Sequence, residues 1–282
     1  MVRWPGSDAR QSDLMAATRG VDGYILDLDG TVYRGDRAVP GAGEAIAALR
    51  GRGRRVVFAS NNPLRSRAEY ARKLTRLGIA ATEGDVVTSS WVAARHLAAW
   101  APGAKVLPVG ERALREELEG VGLRPVSEGD TAEWVIAAFD RTLTYAKLNA
   151  AFQALRRGAR FVATNPDRSC PVEGGEVPDA AGVIAFLEAT SGRSVEEVFG
   201  KPSPRMVEAA LGLLGLPPQR CIMAGDRLET DVVMAKNAGM RAVLVLTGVT
   251  SRASLGSGEV RPDHVLASIA ELPDLDRELN KG

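Results

Sequence analysis

Short apolar runs that each end on a polar cluster recur along the chain, separated by stretches with apolar residues at every third or fourth place. The short runs suit buried strands and the wider spacing suits amphipathic helices. Gly23–Leu28 predicts the first strand, and Val39–Gly43 leads into a helix over Glu44–Arg50. Gly41 and Gly43 lack the third glycine of a dinucleotide fingerprint, so they read as a helix-entry turn. Arg55–Ala59 predicts a second strand, and Pro63 suits the first turn of a helix continuing through Arg65–Leu77. Asp85–Thr88 and Trp91–Trp100 extend the alternation, which predicts right-handed βαβ units and a parallel sheet.

A second set follows Ala101-Pro102-Gly103. Lys105–Val109, Trp134–Phe139 and Arg160–Ala163 read as strands, with helices over Glu111–Gly120 and Tyr145–Arg156. The stretch from Asn165 to Pro178 is rich in turn residues and reads as irregular. The first pattern then resumes, with helices over Ala180–Thr190, Arg205–Leu214 and Asp231–Asn237. Its strands are Cys221–Ala224, Ala242–Leu246 and Asp263–Leu266, and Gly239 suits a helix C-cap. The expected organisation is α/β, a doubly wound core made of residues 1–101 and 179–282 with a smaller α/β domain, 102–178, inserted. Residues 1–20 read as a lead-in with one helical turn near Leu14–Ala17.

Composition narrows the function classes. The 282 residues are 45% hydrophobic and 25% charged, and 36 Lys+Arg against 35 Asp+Glu leave a net charge of +1. Such a balance offers no electrostatic case for nucleic acid or an anionic membrane. The basic run Arg50–Arg55 lies between a helix and a strand and reads as a solvated turn. No run reaches the roughly 20 apolar residues of a membrane span, and the polar N-terminus lacks the apolar centre of a signal peptide. Cys170 and Cys221 fit no metal-ligand spacing, so a reducing, cytoplasmic location is expected. With His96 and His264 as the only histidines, a His-based zinc site or a Ser-His-Asp triad has little material.

The chemistry gathers at strand ends. Asp27 and Asp29 follow the first strand and enter a turn at Gly30; residues two apart on a strand share a face, so the two carboxylates are expected to align. Ser60 and Asn61 follow the second strand, Lys201 sits in a Gly-Lys-Pro loop, and Asp226 follows Cys221–Ala224, with Asp231 at the start of the next helix. Ligands of doubly wound sheets bind outside the carboxyl ends of the strands, so these positions converge. Each has a plain reading when taken alone: an acidic turn, a helix cap, a solvated lysine, acids complementing a helix dipole. The joint occurrence favours Mg²⁺-assisted phosphoryl transfer.

DLDGT at 27–31, SNN at 60–62, NPD at 165–167, GKPSP at 200–204, GDRLETD at 225–231 and TGVTSR at 247–252 appear in this order. In these segments the chain resembles the haloacid dehalogenase (HAD) superfamily phosphatases, in the NagD-like subfamily IIA with a C2-type cap. The resemblance implies a Rossmann-like core and residues 102–178 as the cap. It implies Asp27 as nucleophile and Asp29 as general acid and base. Mg²⁺ would be held by Asp27, Asp226 and the backbone carbonyl of Asp29, with Asp231 orienting metal waters or Lys201. Ser60, Asn61 and Lys201 would hold the phosphoryl group; Ser60 stands where Thr is commoner, and the hydroxyl is kept. Asn165, Asp167 and Arg168 would reach the substrate from the cap. The implied partner is a small phosphorylated metabolite, hydrolysed through an aspartyl-phosphate. Transfer to an acceptor alcohol and phosphometabolite binding without turnover remain alternatives. Caps of this group take part in dimers, so a homodimer is one assembly the resemblance allows.

Overall fold

The computed structural model describes residues 20–128, 131–172, 174–256 and 260–281; the helical turn expected near Leu14–Ala17 lies outside them. The chain opens with β1, Gly23–Asp27, followed by a two-residue hairpin, β2 Tyr33–Arg34 and β3 Arg37–Ala38. Helix α1 spans Ala42–Gly51, β4 Arg55–Ser60, α2 Arg67–Arg76, β5 Val86–Thr88 and α3 Ser89–Trp100. Gly41 takes φ 79° at the N-cap of α1, the helix-entry turn expected there. Helix α2 starts later than Pro63 suggests. Ser66 and Glu69 form a reciprocal capping box, which satisfies two otherwise orphaned N–H groups and fixes the start by about 1 kcal/mol.

The inserted layer comprises β6 Lys105–Val109, α4 Arg112–Gly120, β7 Arg124–Pro125, β8 Trp134–Ala137, α5 Tyr145–Arg156 and β9 Arg160–Ala163. The segment expected to be irregular holds an antiparallel hairpin, β10 Ser169–Val172 with β11 Gly175–Pro178. Helix α6, Ala180–Ser191, and β12, Glu197–Val198, come next. Both belong to the inserted layer. Strand β12 pairs with β9, and Val183 and Leu187 of α6 pack with Ala151 and Leu155 of α5. The expected boundary at 178 therefore falls inside this layer, which continues to about Val198. The periodicity of α6 showed that it buries a face but not which sheet it covers.

The chain returns through α7 Pro204–Leu214, β13 Cys221–Gly225, a π-helical turn over Leu228–Val232, α8 Val233–Ala238, β14 Arg241–Val245, β15 His264–Leu266 and α9 Leu272–Leu279. The main sheet has the order β15-β14-β13-β1-β4-β5, parallel throughout. The second sheet, β12-β9-β8-β6-β7, is also parallel. Strand β1 is buried along its whole length, as a central parallel strand covered on both faces should be. Tyr24 and Leu26 face Ile46, Leu49 and Phe58 on one side. On the other, Ile25 joins a core that runs through Val92 and Leu97 of α3 to Val106 and Ile136 of the second sheet.

The basic run is partly exposed, with two of its arginines held by the protein. Arg52 and Arg54 donate to the buried Asp276 at 3.1 and 2.8 Å, and Tyr24 OH donates to the same carboxylate at 2.9 Å. These bonds tie α9 to the amino ends of β1 and β4. The main sheet advances in one direction from β1 through β4 to β5, and in the other from β13 to β15. The chain thus diverges between β1 and β13, which places a crevice at their carboxyl ends.

Candidate active site

Strand β1 stops at Asp27, one residue short of the expected end. The Leu28 carbonyl then accepts N–H groups from Thr31, Val32 and Tyr33, at 3.3, 2.9 and 3.2 Å. Asp29 thus sits in a turn, and the strand pleat is not what aligns it with Asp27. Both nonetheless line one pocket, where the carboxyl ends of β1, β4 and β13 meet the cap, with a cavity volume of about 40 Å³.

Lys201 is the hub. Its ammonium donates to Asp27 Oδ1 and, at 2.7 Å, to Asp231 Oδ1, while the residue is only 2% exposed. Burial works to lower its pKa, but the Asp231 and Asp27 charges outweigh it and keep the ammonium charged. Asp231 spends its other oxygen, Oδ2, on the Arg227 N–H at 3.1 Å. It lies in a π-helical turn, in place of the straight helix start expected there, and packs against Gly225 of β13.

Asn61, expected to touch substrate, is fully engaged with protein. Its Oδ1 accepts the Lys201 N–H at 2.6 Å, and its Nδ2 donates to the Lys201 carbonyl at 3.0 Å and to Asp167 Oδ2 at 2.9 Å. Asn165 is similar: its amide donates to Asp167 at 3.0 Å and Asp179 at 2.9 Å, and its Oδ1 accepts from Thr164. Both asparagines position other groups. Ser60 is buried in the pocket wall, and its Oγ accepts the Asn62 N–H at 3.2 Å.

Oxygens suited to a cation remain. Asp27, Asp226 and Asp231 each bring one carboxylate oxygen within 4.8 Å of the others. Asp27 Oδ2 is buried without a hydrogen-bond partner among the described residues. Burial raises the Asp27 carboxyl, the Lys201 charge opposes this, and Asp231 and Asp226 add to the rise. Asp226 is pushed up to about 6, by burial and then by Asp231. Three carboxylates around a single ammonium leave an excess of buried negative charge, and a hard cation with oxygen ligands answers it. The donor set fits Mg²⁺, with Asp231 the least available of the three.

Asp226 is set by a loop whose role the sequence did not reveal. Its Oδ2 accepts the Val249 N–H at 2.6 Å and its carbonyl the Thr250 N–H at 3.1 Å. Thr247 Oγ1 donates to the Gly30 carbonyl at 2.7 Å. A side chain at Gly248 would overlap the Asp226 carboxylate, so the segment 247–250 closes on the acid through bare backbone.

The cap contributes Asp167, Asp179, Ser169 and Cys170 to the lining. Arg168 differs from expectation: it is exposed and stands outside the lining, with its carbonyl accepting the Asp179 N–H. The pocket's guanidinium comes from Arg227 of the main layer. It donates to the Ser169 carbonyl at 3.1 Å and stands 3.7 Å from Asp167 Oδ1. Only its place right after Asp226 could have marked Arg227 in the sequence. Of the cysteines, Cys170 lines the pocket, while Cys221 is a buried apolar side chain.

Comparison with known proteins places the chain in a family. Residues 24–124 match the model of the haloacid dehalogenase-like hydrolases, and residues 198–272 match a second HAD-hydrolase-like model. The chain is 43% identical to the sugar-phosphatase AraL of Bacillus subtilis, over 91% of this chain and 93% of that protein. The 4-nitrophenylphosphatase of Thermotoga maritima superposes with a TM-score of 0.87 at 36% identity, covering 92% of this chain and 98% of that one. A glycerol phosphate phosphatase of Mycobacterium tuberculosis, solved in complex with magnesium, gives 0.83 at 37% identity, covering 90% and 77%. With this sheet order, these strand-end acids and these relatives, the chain belongs to the haloacid dehalogenase-like hydrolases, in their NagD-like group, and is a phosphatase of small phosphoesters.

Proposed function

We propose that the protein hydrolyses the phosphomonoester of a small sugar or polyol, with Mg²⁺, through an aspartyl-phosphate on Asp27. The observation that carries this reading is the Lys201 bridge between Asp27 and Asp231, beside an Asp27 oxygen that lacks a partner. Lys201 holds Asp27 in one orientation and neutralises the charge that approaches with the phosphoryl group. Ser60 and the backbone N–H groups after β4 receive the phosphoryl oxygens.

In the first half-reaction an Asp27 oxygen bonds to phosphorus as the bond to the leaving oxygen breaks, and Asp29 gives that oxygen a proton. In the second, Asp29 takes a proton from water as the water oxygen attacks phosphorus, and Asp27 is released with inorganic phosphate. Burial raises the Asp29 carboxyl, against the Lys73 charge and the Tyr33 hydrogen bond, a direction that suits a proton donor near neutral pH. Asp27, Asp226 and the Asp29 carbonyl would hold Mg²⁺, which would supply positive charge to offset the carboxylates and the phosphoryl group. Arg227 and Asp167 line the pocket beside the cap hairpin, and both suit hydroxyl groups of a leaving group. The small pocket beneath the cap hairpin supports a small phosphoester over a polymer.

The test is phosphate release from glycerol, sugar and aryl phosphates, with Mg²⁺ or with EDTA, for the native chain and Asp27→Asn. Activity should vanish with EDTA, return with Mg²⁺, and be absent in Asp27→Asn. Metal-independent turnover, or a fully active Asp27→Asn, overturns the mechanism. Adding an acceptor alcohol and analysing the phosphorylated products distinguishes transfer from hydrolysis.

A further inference from the structure

Tyr33 has no part in the mechanism above, yet it is fully buried with its hydroxyl on a catalytic carboxylate. Its OH donates to Asp29 Oδ2 at 3.1 Å. The turn fixes this contact from both sides. The Leu28 carbonyl accepts the Tyr33 N–H, and the Gly30 N–H donates to the Tyr33 carbonyl at 2.8 Å. Tyr33 also pairs with Ala38 across the small hairpin. The face of the ring is covered by Lys73 of α2, whose ammonium lies 3.5 Å from the ring centroid and whose residue is 4% exposed. A cation over a phenol face is held there by the ring quadrupole, so ring and ammonium fix each other. An exposed flap would need none of this.

The two Asp29 oxygens are thereby made unequal. Oδ2 is taken by Tyr33, and among the described residues no hydrogen bond goes to Oδ1. We propose that Tyr33 is a positioning residue for proton transfer: by holding Oδ2 it turns Oδ1 toward the leaving oxygen and stabilises the carboxylate that remains when the proton has gone. This rests on the reading of Asp29 as the proton donor. As the Asp27–phosphorus bond forms and the bond from phosphorus to the leaving oxygen breaks, the Oδ1 proton moves to that oxygen. The negative charge left on Asp29 then strengthens the hydrogen bond from Tyr33, because bonds to a charged acceptor exceed those to a neutral one. When water attacks, Oδ1 takes its proton and the bond relaxes again. The contact is worth most when the carboxylate is bare, which follows proton donation, so in the first step it favours the transition state over the ground state.

The consequence is selective. An alkoxide needs a proton to depart, whereas 4-nitrophenolate departs without one, so damage to proton delivery falls on alkyl phosphates. In Tyr33→Phe, kcat/KM for glycerol phosphate should fall at least ~10-fold more than for 4-nitrophenyl phosphate. Across a series of aryl and alkyl phosphates, the dependence of log kcat/KM on leaving-group pKa should steepen. Phe keeps the ring beneath Lys73, so the thermal unfolding midpoint reports whether the fold survives. Asp29→Asn serves as the reference and should show the same selectivity, larger in size. If Asp29→Asn is selective while Tyr33→Phe loses the same factor on every substrate, the positioning role is overturned. If Asp29→Asn itself shows no selectivity, the assignment of Asp29 as proton donor fails and the role of Tyr33 falls with it.

Discussion

Asn61 and Lys201, 140 residues apart, clasp each other through one side-chain amide and one peptide unit: Asn61 Oδ1 accepts the Lys201 N–H at 2.6 Å, and Asn61 Nδ2 donates to the Lys201 carbonyl at 3.0 Å. The pairing holds the Lys201 backbone against the carboxyl end of β4. The same Nδ2 reaches Asp167 of the cap. One amide thus sets the Lys201 backbone and also touches the cap.

Replacing Asn61 by Ala should leave the Lys201 N–H and carbonyl buried without partners. Each such group costs about 1–3 kcal/mol, so Asn61→Ala should lose about 2–6 kcal/mol of stability. With the lysine loosened, kcat should drop roughly 100-fold. Urea denaturation read beside steady-state kinetics checks both, and an Asn61→Ala enzyme with native stability contradicts the clasp.

Gly248 matters because the backbone there passes against the Asp226 carboxylate. Gly248→Ala should push Asp226 out of place and weaken the metal site. Disturbing a group that orients a ligand typically costs 10–100-fold in metal affinity. The Mg²⁺ concentration giving half-maximal activity should rise by at least ~10-fold, with activity recovering at high Mg²⁺. An unchanged requirement argues against Asp226 as a ligand.

Arg227 and Arg168 form a contrasting pair. Arg227 bonds the cap hairpin through the Ser169 carbonyl and faces Asp167, whereas Arg168 is exposed beyond the pocket. Arg227→Ala should lower kcat/KM by about 10–100-fold, the size of one charge-assisted hydrogen bond. Arg168→Ala should stay within about 2-fold of the native enzyme. The reverse ranking restores Arg168 as the cap's anion contact.

Asp179 makes stability depend on pH. Burial pushes it up to about 6, against hydrogen bonds from Asn165 and Ala180 and with Asp167 adding to the rise. The folded state therefore holds the proton more tightly than the unfolded chain, whose carboxyl titrates near 4. Its contribution favours folding at low pH and fades as pH rises through 6. Asp179→Asn is neutral at every pH and keeps an oxygen for both donors. The variant should gain about 2 kcal/mol on the native protein between pH 4 and pH 7. Denaturation midpoints at the two pH values give the difference directly, and a constant gap removes Asp179 as its source.

The legible part of this protein lies in its strands. Tyr145–Arg156 and Arg160–Ala163 have the bounds their patterns predicted, and β1, β4, β13 and β14 agree to within a residue or so, since buried parallel strands are unbroken apolar runs. Short edge elements such as β2, β3 and β12 escaped notice because two residues carry no period. Asn165–Pro178 reads as irregular because it is rich in turn residues, yet it holds the hairpin that roofs the pocket. Helix α9 went unseen, although its Leu272 and Leu275 pack under β1.

By itself the sequence determined which chemistry is present and where along the chain it stands: Asp27, Asp29, Ser60, Lys201, Asp226 and Asp231 each follow a strand or open a helix, and parallel strands bring their carboxyl ends to one edge. Tertiary structure decided how those groups divide the work. Whether an amide touches substrate or holds a lysine depends on which partners come within 3 Å, and Asn61, Asn165, Arg227 and Tyr33 meet theirs across turns and layers that no local pattern encodes. Periodicity records the face a residue presents; a hydrogen bond also requires direction and distance, which only the packed chain supplies.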